Sequence, residues 1–294
     1  MDTAKMAAAL ATNKGQVRDH LNPFEDKLVQ QSLPKILLPT TAGTGSEASS
    51  DAVVIDPELG GKTFSRSPHI YPTAAIVDPT LTVSCPPKVT AGCGMDALSH
   101  VVEALISNDT NPLAVGMALE GIKQIFRSLR KAYHNGKDLA ARWDVSFAAM
   151  IGGLMFGTAP SAYPGHAISE VIGPQHQIPH GTACGIVLPY IMDFNLSACT
   201  ENLALMSRCL GFDTGNRSER ELAGKAVDAV FQLMIDIEMP LSLSEVGISK
   251  NELPKYRDTY LTSKLYELKR YNPRVLTPQN VDALFEKMWR GIKS

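Results

Sequence analysis

The sequence has no surplus of positive charge: 28 lysines and arginines stand against 30 aspartates and glutamates, a formal net charge of −2. Neutralising a phosphate backbone or gripping an anionic membrane surface needs such a surplus, so neither nucleic acid nor a membrane is an expected partner. There is also no C-x-x-C pair, and the cysteines are odd in number (Cys85, Cys93, Cys184, Cys199 and Cys209). That argues against a disulfide framework and a structural zinc ribbon, and fits a reducing cytoplasm. The first residues show no basic start followed by an apolar run, so a signal peptide is not expected. Internal repeats and low-complexity tracts are lacking. One stretch, Val145 to Gly165, is free of charge over a length that could cross a bilayer. Gly152, Gly153, Gly157, Thr158, Pro160 and Pro164 interrupt it, and a buried helix is the expectation.

What is there is a chain of 294 residues, 44% apolar, long enough for one large or two ordinary domains with a sizeable core. The first part reads as α/β. An Ala-rich helical segment runs from Thr3 to about Thr12, and the apolar run Ile36 to Leu38 reads as a buried strand. Ala52 to Ile55 and Lys62 to Ser65 flank a turn-rich segment and predict a hairpin, and Ala74 to Val77 predicts another strand. From Pro86 on, apolar residues recur at helical spacing over about 87–106, 112–134, 138–158, 183–209, 217–238 and 276–292. Pro189 makes the fourth of these two helices or one kinked helix. The expected organisation is therefore an α/β part over residues 1–82 and an all-helical part over 83–294.

The chemistry-bearing residues lie in three segments. Asp96 and His100 are four apart in a helical segment, which places a carboxylate and an imidazole on one face. Alone, the pair reads more readily as a surface or capping pair. His166 and His180 sit in the Gly- and Pro-rich contexts Gly165-His166-Ala167 and Pro179-His180-Gly181. Each taken singly is compatible with a core histidine bonded to a backbone carbonyl. Together the four side chains offer one oxygen and three nitrogens, a set suited to Fe(II) or Zn(II) rather than to magnesium or calcium. His176 reads as a loop residue.

These residues fall within a wider pattern. Ala75-Ile76-Val77-Asp78 continues through Pro86 and Ala91 to Asp96-Ala97-Leu98-Ser99-His100 and Glu103. Leu38-Pro39-Thr40-Thr41-Ala42-Gly43-Thr44-Gly45-Ser46-Glu47 lies upstream; Ile178-Pro179-His180-Gly181 and Asn272-Pro273-Arg274 lie downstream. In this order they resemble the signatures of the iron-containing alcohol dehydrogenases, with Cys93 where the family usually has Gly, Ser or Thr. The resemblance runs from the first residues to the last. It implies a dehydroquinate-synthase-like architecture, in which the α/β part is an incomplete dinucleotide-binding domain and the helical part holds the metal. It also implies Asp96, His100, His166 and His180 as ligands to Fe(2+), with Zn(2+) as the alternative. The related maleylacetate reductases lack the aspartate and work without metal, so Asp96 argues against that branch.

By the same resemblance Thr40, Thr41, Thr44, Ser49 and Lys62 touch NAD or NADP; small Thr, Gly and Ser side chains let a cofactor approach the backbone. Read without it, the segment is an ordinary loop and Lys62 a hairpin charge. Two departures stand out. The start, Met1-Asp2-Thr3-Ala4-Lys5, resembles a helix that in the family follows a Gly-Gly-Gly-Ser turn, which would hold the pyrophosphate. That turn is not in the sequence, and family chains extend further at this end by on the order of 100 residues. Glu170 stands where the family commonly has a histidine near the nicotinamide, and it is either a catalytic proton relay or a salt-bridged surface residue. Pro174 takes the place of a small residue. The expected activity is metal-dependent hydride transfer between a small alcohol and its aldehyde or ketone, in a homodimer or higher homo-oligomer. The alternatives are a zinc-dependent polyol dehydrogenase and an inactive, metal-binding remnant.

Overall fold

The computed structural model describes residues 1–22, 25–56, 61–158 and 164–291. Helix α1 (Asp2–Leu10) is the Ala-rich segment expected from the sequence, and it turns Lys5, Met6 and Ala9 inward. Lys5 is fully buried. Its ammonium donates to Ser49 O at 2.9 Å, Ser49 Oγ at 3.1 Å and Asp51 O at 2.8 Å, which uses all three of its N–H groups. That pins α1 to strand β2 (Asp51–Asp56), which pairs antiparallel with β3 (Gly61–Arg66) in the expected hairpin. The turn residues 57–60 lie outside the described residues.

Strand β1 (Ile36–Leu37) pairs in parallel with β4 (Ala74–Ala75) as a separate two-stranded sheet. Here the expectation of a buried strand is corrected. Leu37 is buried, but Ile36 is 60% and Leu38 45% exposed. A parallel strand hides successive apolar residues only when both sheet faces are covered, and this pair is not covered by the described residues.

All described strands precede Ile76; beyond it the fold is helical. The helices are α2 (Pro87–Ile106), α3 (Pro112–His134), α4 (Leu139–Thr158), α5 (Pro164–Ile172), α6 (His180–Asn195), α7 (Thr200–Cys209), α8 (Glu219–Asp236), α9 (Leu253–Thr262) and α10 (Pro278–Arg290). Proline opens α2, α3 and α10, where its missing N–H costs nothing. Asn111, Ser218 and Thr277 cap α3, α8 and α10 through their side-chain oxygens. The segment read as 183–209 is two helices, and Pro189 sits within α6 without ending it. Helices α5 and α9 were not expected: Pro164-Gly165 reads as a breaker, and α9 is largely polar. The uncharged stretch divides between α4 and α5, with residues 159–163 outside the described ones. Helices α2 and α4 are long and apolar enough to cross a membrane, yet 89% and 61% of those spans are buried inside the protein.

Helix α2 is the centre of the helical part, with α3, α4 and α6 packed around it. From Thr90 to Ile106 every residue except Cys93 is buried. The loop of residues 40–49 lies directly on α4. Gly45 has φ +61°, and a Cβ there would stand 2.3 Å from Ala149 O and 2.4 Å from Gly153 N, so no other residue allows this seat.

Candidate metal centre

The buried stretch of α2 carries only three acidic or basic side chains, Asp96, His100 and Glu103. At spacings of four and three they share one helical face. Burying such groups without partners is costly, and the partners come from α5 and α6. Asp96 Oδ1 lies 3.5 Å from His166 Nε2, 3.6 Å from His180 Nε2 and 3.9 Å from His100 Nε2. The His100 and His166 rings stack with centroids 4.5 Å apart. The structure thus brings together all four residues expected as ligands.

Asp96 is 3% exposed, and its Oδ1 has no hydrogen-bond partner among the described residues; His100 Nδ1 has none either. A buried carboxylate oxygen left unbonded costs about 1–3 kcal/mol or more. Donor atoms roughly 2.0–2.2 Å from a tetrahedral divalent ion stand roughly 3.3–3.6 Å from one another, close to the separations seen. One oxygen facing three imidazoles therefore fits a transition-metal cation, which would satisfy the orphaned Oδ1.

Two carboxylates orient the imidazoles from behind. Glu103, 1% exposed, accepts from Gly165 N at 2.8 Å, from His166 N at 3.3 Å and from His166 Nδ1. A proton held on Nδ1 leaves Nε2 as the donor nitrogen facing Asp96. On the other side Glu170 Oε1 lies 3.3 Å from His180 Nδ1 and accepts from Lys62 Nζ at 3.0 Å. Sequence reasoning quoted Glu103 as part of a motif and gave it no role; its position one face-turn from His100 was the available signal. His180 reaches this point because α6 starts against α2. A Cβ on Gly181 would stand 2.1 Å from Gly92 O, so the glycine permits the approach.

The electrostatics separate the ligands. Burial, opposed by Asp96, holds His100 down to about 3, so it is neutral at pH 7 with a lone pair to offer. Burial alone would raise Asp96, but the imidazoles it faces together outweigh burial and hold the carboxylate below its ordinary range. For His180, burial is likewise overcome, here by Cys184 and Asp96, and the group is pushed up to about 9. Cys184 itself, missed in the sequence because it has no nearby cysteine, joins the cluster. Asp96, His166, His180 and Cys184 each present a donor atom within 4.8 Å of the others.

A cavity of about 430 Å³ opens over this cluster. Its far wall is the face of the β2–β3 hairpin, where Asp51, Val53 and Ile55 stand opposite Arg66, Phe64 and Lys62. Of the residues expected at the cofactor, Thr44, Ser49 and Lys62 line this cavity, although the Ser49 hydroxyl is engaged by Lys5. Thr40 and Thr41 do not line it. The carbonyl of Thr40 accepts from Cys85 Sγ, and Thr41 borders a small crevice with Cys93 and Arg142. His176 sits in a short 3-10 turn with Pro174, 3.1 Å from Glu252 Oε1 and away from the cavity.

Known proteins resemble the chain in sequence and in fold. The model of the iron-containing alcohol dehydrogenases matches residues 1–79, and that of the C-terminal part of the Fe-containing alcohol dehydrogenase family matches residues 90–289. Long-chain-alcohol dehydrogenase 1 of Geobacillus thermodenitrificans is 37% identical over 99% of this chain and 73% of its own length. The NAD-dependent methanol dehydrogenase of Bacillus methanolicus is 32% identical over 95% and 72%. The solved structure of an alcohol dehydrogenase from Oenococcus oeni superposes with a TM-score of 0.91 at 32% identity, over 98% of this chain and 74% of that one. With both family models in sequence order and the fold matched throughout, the chain belongs to the iron-containing alcohol dehydrogenase family.

Proposed function

We propose that the protein is a metal-dependent, NAD(P)-linked oxidoreductase that interconverts a small alcohol with its aldehyde or ketone. The observation that carries this reading is the buried, unpartnered Asp96 Oδ1 facing the nitrogens of His100, His166 and His180. Those four residues would hold a divalent iron. Bound there, the cation supplies the Lewis acidity that makes an alcohol hydroxyl easier to deprotonate.

The rest is the work of the chain. Glu103 keeps the His166 proton on Nδ1, and Glu170, whose Oε1 lies 3.3 Å from His180 Nδ1, would do the same for that ring. Glu170 is also the proton acceptor on the cavity side: its Oε2 has no hydrogen-bond partner among the described residues. Phe64, Val53 and Ile55 give the hairpin side of the cavity an apolar lining. Thr44, Ser49 and Lys62 line the cavity beside the cluster and would meet the nicotinamide there, and Thr40 and Thr41, outside the cavity, would contact the dinucleotide further along the same loop. In this reading residues 1–82 contribute to the dinucleotide-binding unit and 83–294 form the helical metal-binding unit. On the same reading the protein acts as a homodimer or higher homo-oligomer in the cytoplasm, where its five free cysteines stay reduced.

The test is metal analysis of protein purified without added metal, together with NAD(P)H absorbance on a panel of short primary alcohols. Bound iron or zinc at one equivalent and alcohol-dependent reduction of NAD(P) are expected. Metal-free protein, or a His180→Ala variant with unaltered metal content, overturns the reading.

A further inference from the structure

We infer that the alcohol taken by this site carries an unsubstituted hydrocarbon tail, with no second hydroxyl and no charged group at its far end. The inference rests on the oxidoreductase reading above and deepens it by naming the substrate class.

The cavity over the cluster has apolar lining from both parts of the chain. The hairpin supplies Val53, Ile55 and Phe64, and the helical part supplies Phe156, Leu265 and Leu268. Phe156 stands edge-on to the His100 ring, with centroids 5.0 Å apart, so this lining begins beside the cluster. Leu265 and Leu268 belong to the 3-10 segment Lys264–Tyr271, which packs on α5, the helix that carries His166. Val53 and Ile55 are exposed, and a hydrocarbon chain seated in the cavity would cover them.

The charged side chains along the same lining are already engaged. Arg66 Nε and Nη2 donate to the two oxygens of Asp51 at 2.8 and 2.7 Å, and Lys62 Nζ donates to Glu170 at 3.0 Å. Asp2 accepts from Val53 N at 3.1 Å and from Ser46 Oγ, and Ser49 Oγ accepts from Lys5 Nζ at 3.1 Å. An anionic tail drawn to Arg66 or Lys62 would stand beside Asp51 or Glu170, and a cationic tail would meet the converse, so a charge gains from one member of each pair what it loses to the other. The buried oxygen that lacks a partner, Glu170 Oε2, belongs to the carboxylate beside His180 and therefore to the reacting end. A second hydroxyl placed among the apolar side chains would be buried unsatisfied.

The test is the binding of alcohols to the protein as purified, titrated by ligand-observed NMR with and without added NAD. From 1-butanol through 1-hexanol to 1-octanol, affinity should rise roughly fourfold per added methylene. At fixed length, hexane-1,6-diol should bind roughly tenfold or more weakly than 1-hexanol, and 6-hydroxyhexanoate and 6-amino-1-hexanol no better than the diol. Leu265→Asn should flatten the gain with chain length, whereas Val275→Asn, at an exposed residue outside the cavity lining, should leave it intact. If Leu265→Asn does not fold, Leu265→Ala and the wild-type ranking decide. Diol, acid or amine binding as tightly as 1-hexanol overturns the inference, as does a gain with chain length that is missing or that survives Leu265→Asn. A gain that disappears when NAD is added also overturns it, because the apolar lining then belongs to the cofactor. Metal content measured on the same samples separates the two readings: metal retained with the ranking lost refutes the substrate class alone, and metal-free wild type refutes both.

Discussion

Glu103→Gln isolates the role of the carboxylate behind His166. The substitution preserves shape at a position that is 1% exposed, but it replaces an oxygen acceptor with an N–H donor. Glu103 accepts three N–H groups, those of Gly165, His166 and the His166 ring. If the glutamine oxygen serves the two backbone groups, its NH₂ faces Nδ1. The ring proton is then driven to Nε2, and the nitrogen facing Asp96 loses its lone pair. If the amide flips, NH₂ opposes two backbone donors, each left unsatisfied at about 1–3 kcal/mol. The first outcome removes metal affinity; the second removes stability. Loss of a carboxylate partner behind a ligating histidine lowers metal affinity roughly 10–100-fold, about 1.4–2.7 kcal/mol. Competition of the protein with a zinc chelator at fixed pH measures the affinity, and denaturant melts of the metal-free protein measure the stability. A Glu103→Gln protein with wild-type metal affinity and wild-type melting would refute the reasoning.

Gly181→Ala puts a methyl 2.1 Å from Gly92 O; a stability loss of about 1–3 kcal/mol is expected, with reduced metal content because α6 carries His180 away from Asp96, and thermal melts with metal analysis check both. Glu170→Gln should lower alcohol turnover about 100-fold while metal content holds, a result read from steady-state kinetics beside elemental analysis; full turnover would show that Glu170 only anchors Lys62. Burial holds Lys5 down to about 8 against 10.5 for the free amine, so between those values the unfolded chain binds the additional proton. Stability therefore rises as pH climbs from about 8 to 10.5, and Lys5→Met should flatten that slope in urea melts collected across the window; an unchanged slope contradicts the assignment.

Much of the helical part was legible because buried helices declare themselves by periodicity, and α2, α3, α4, α8 and α10 follow the expected segments. Asp96 and His100 were legible for the same reason, as a spacing on a single helix. The remainder depended on partners distant in sequence. Glu103 meets His166 across 63 positions and Lys62 meets Glu170 across 108, and no local pattern encodes either contact. Cys184 was judged by the absence of a cysteine neighbour, while its actual neighbours are histidines. Ile36 and Leu38 misled in the opposite sense: an apolar run predicts burial only where a covering layer exists, and their exposure depends on what packs there. The departure from the family pattern at Glu170 resolves into a lysine–carboxylate–histidine chain that neither residue announces alone.

The donors converge from α2, α5 and α6, whose contributing residues Asp96, His166 and His180 are far apart along the backbone. Any ion seated among them ties three helices at one point, so the folded form gains free energy in proportion to the logarithm of the free ion concentration over its dissociation constant. With an ion bound there, metal supply would set how long the folded molecule survives, and starvation for the ion is expected to show as faster proteolysis of the protein.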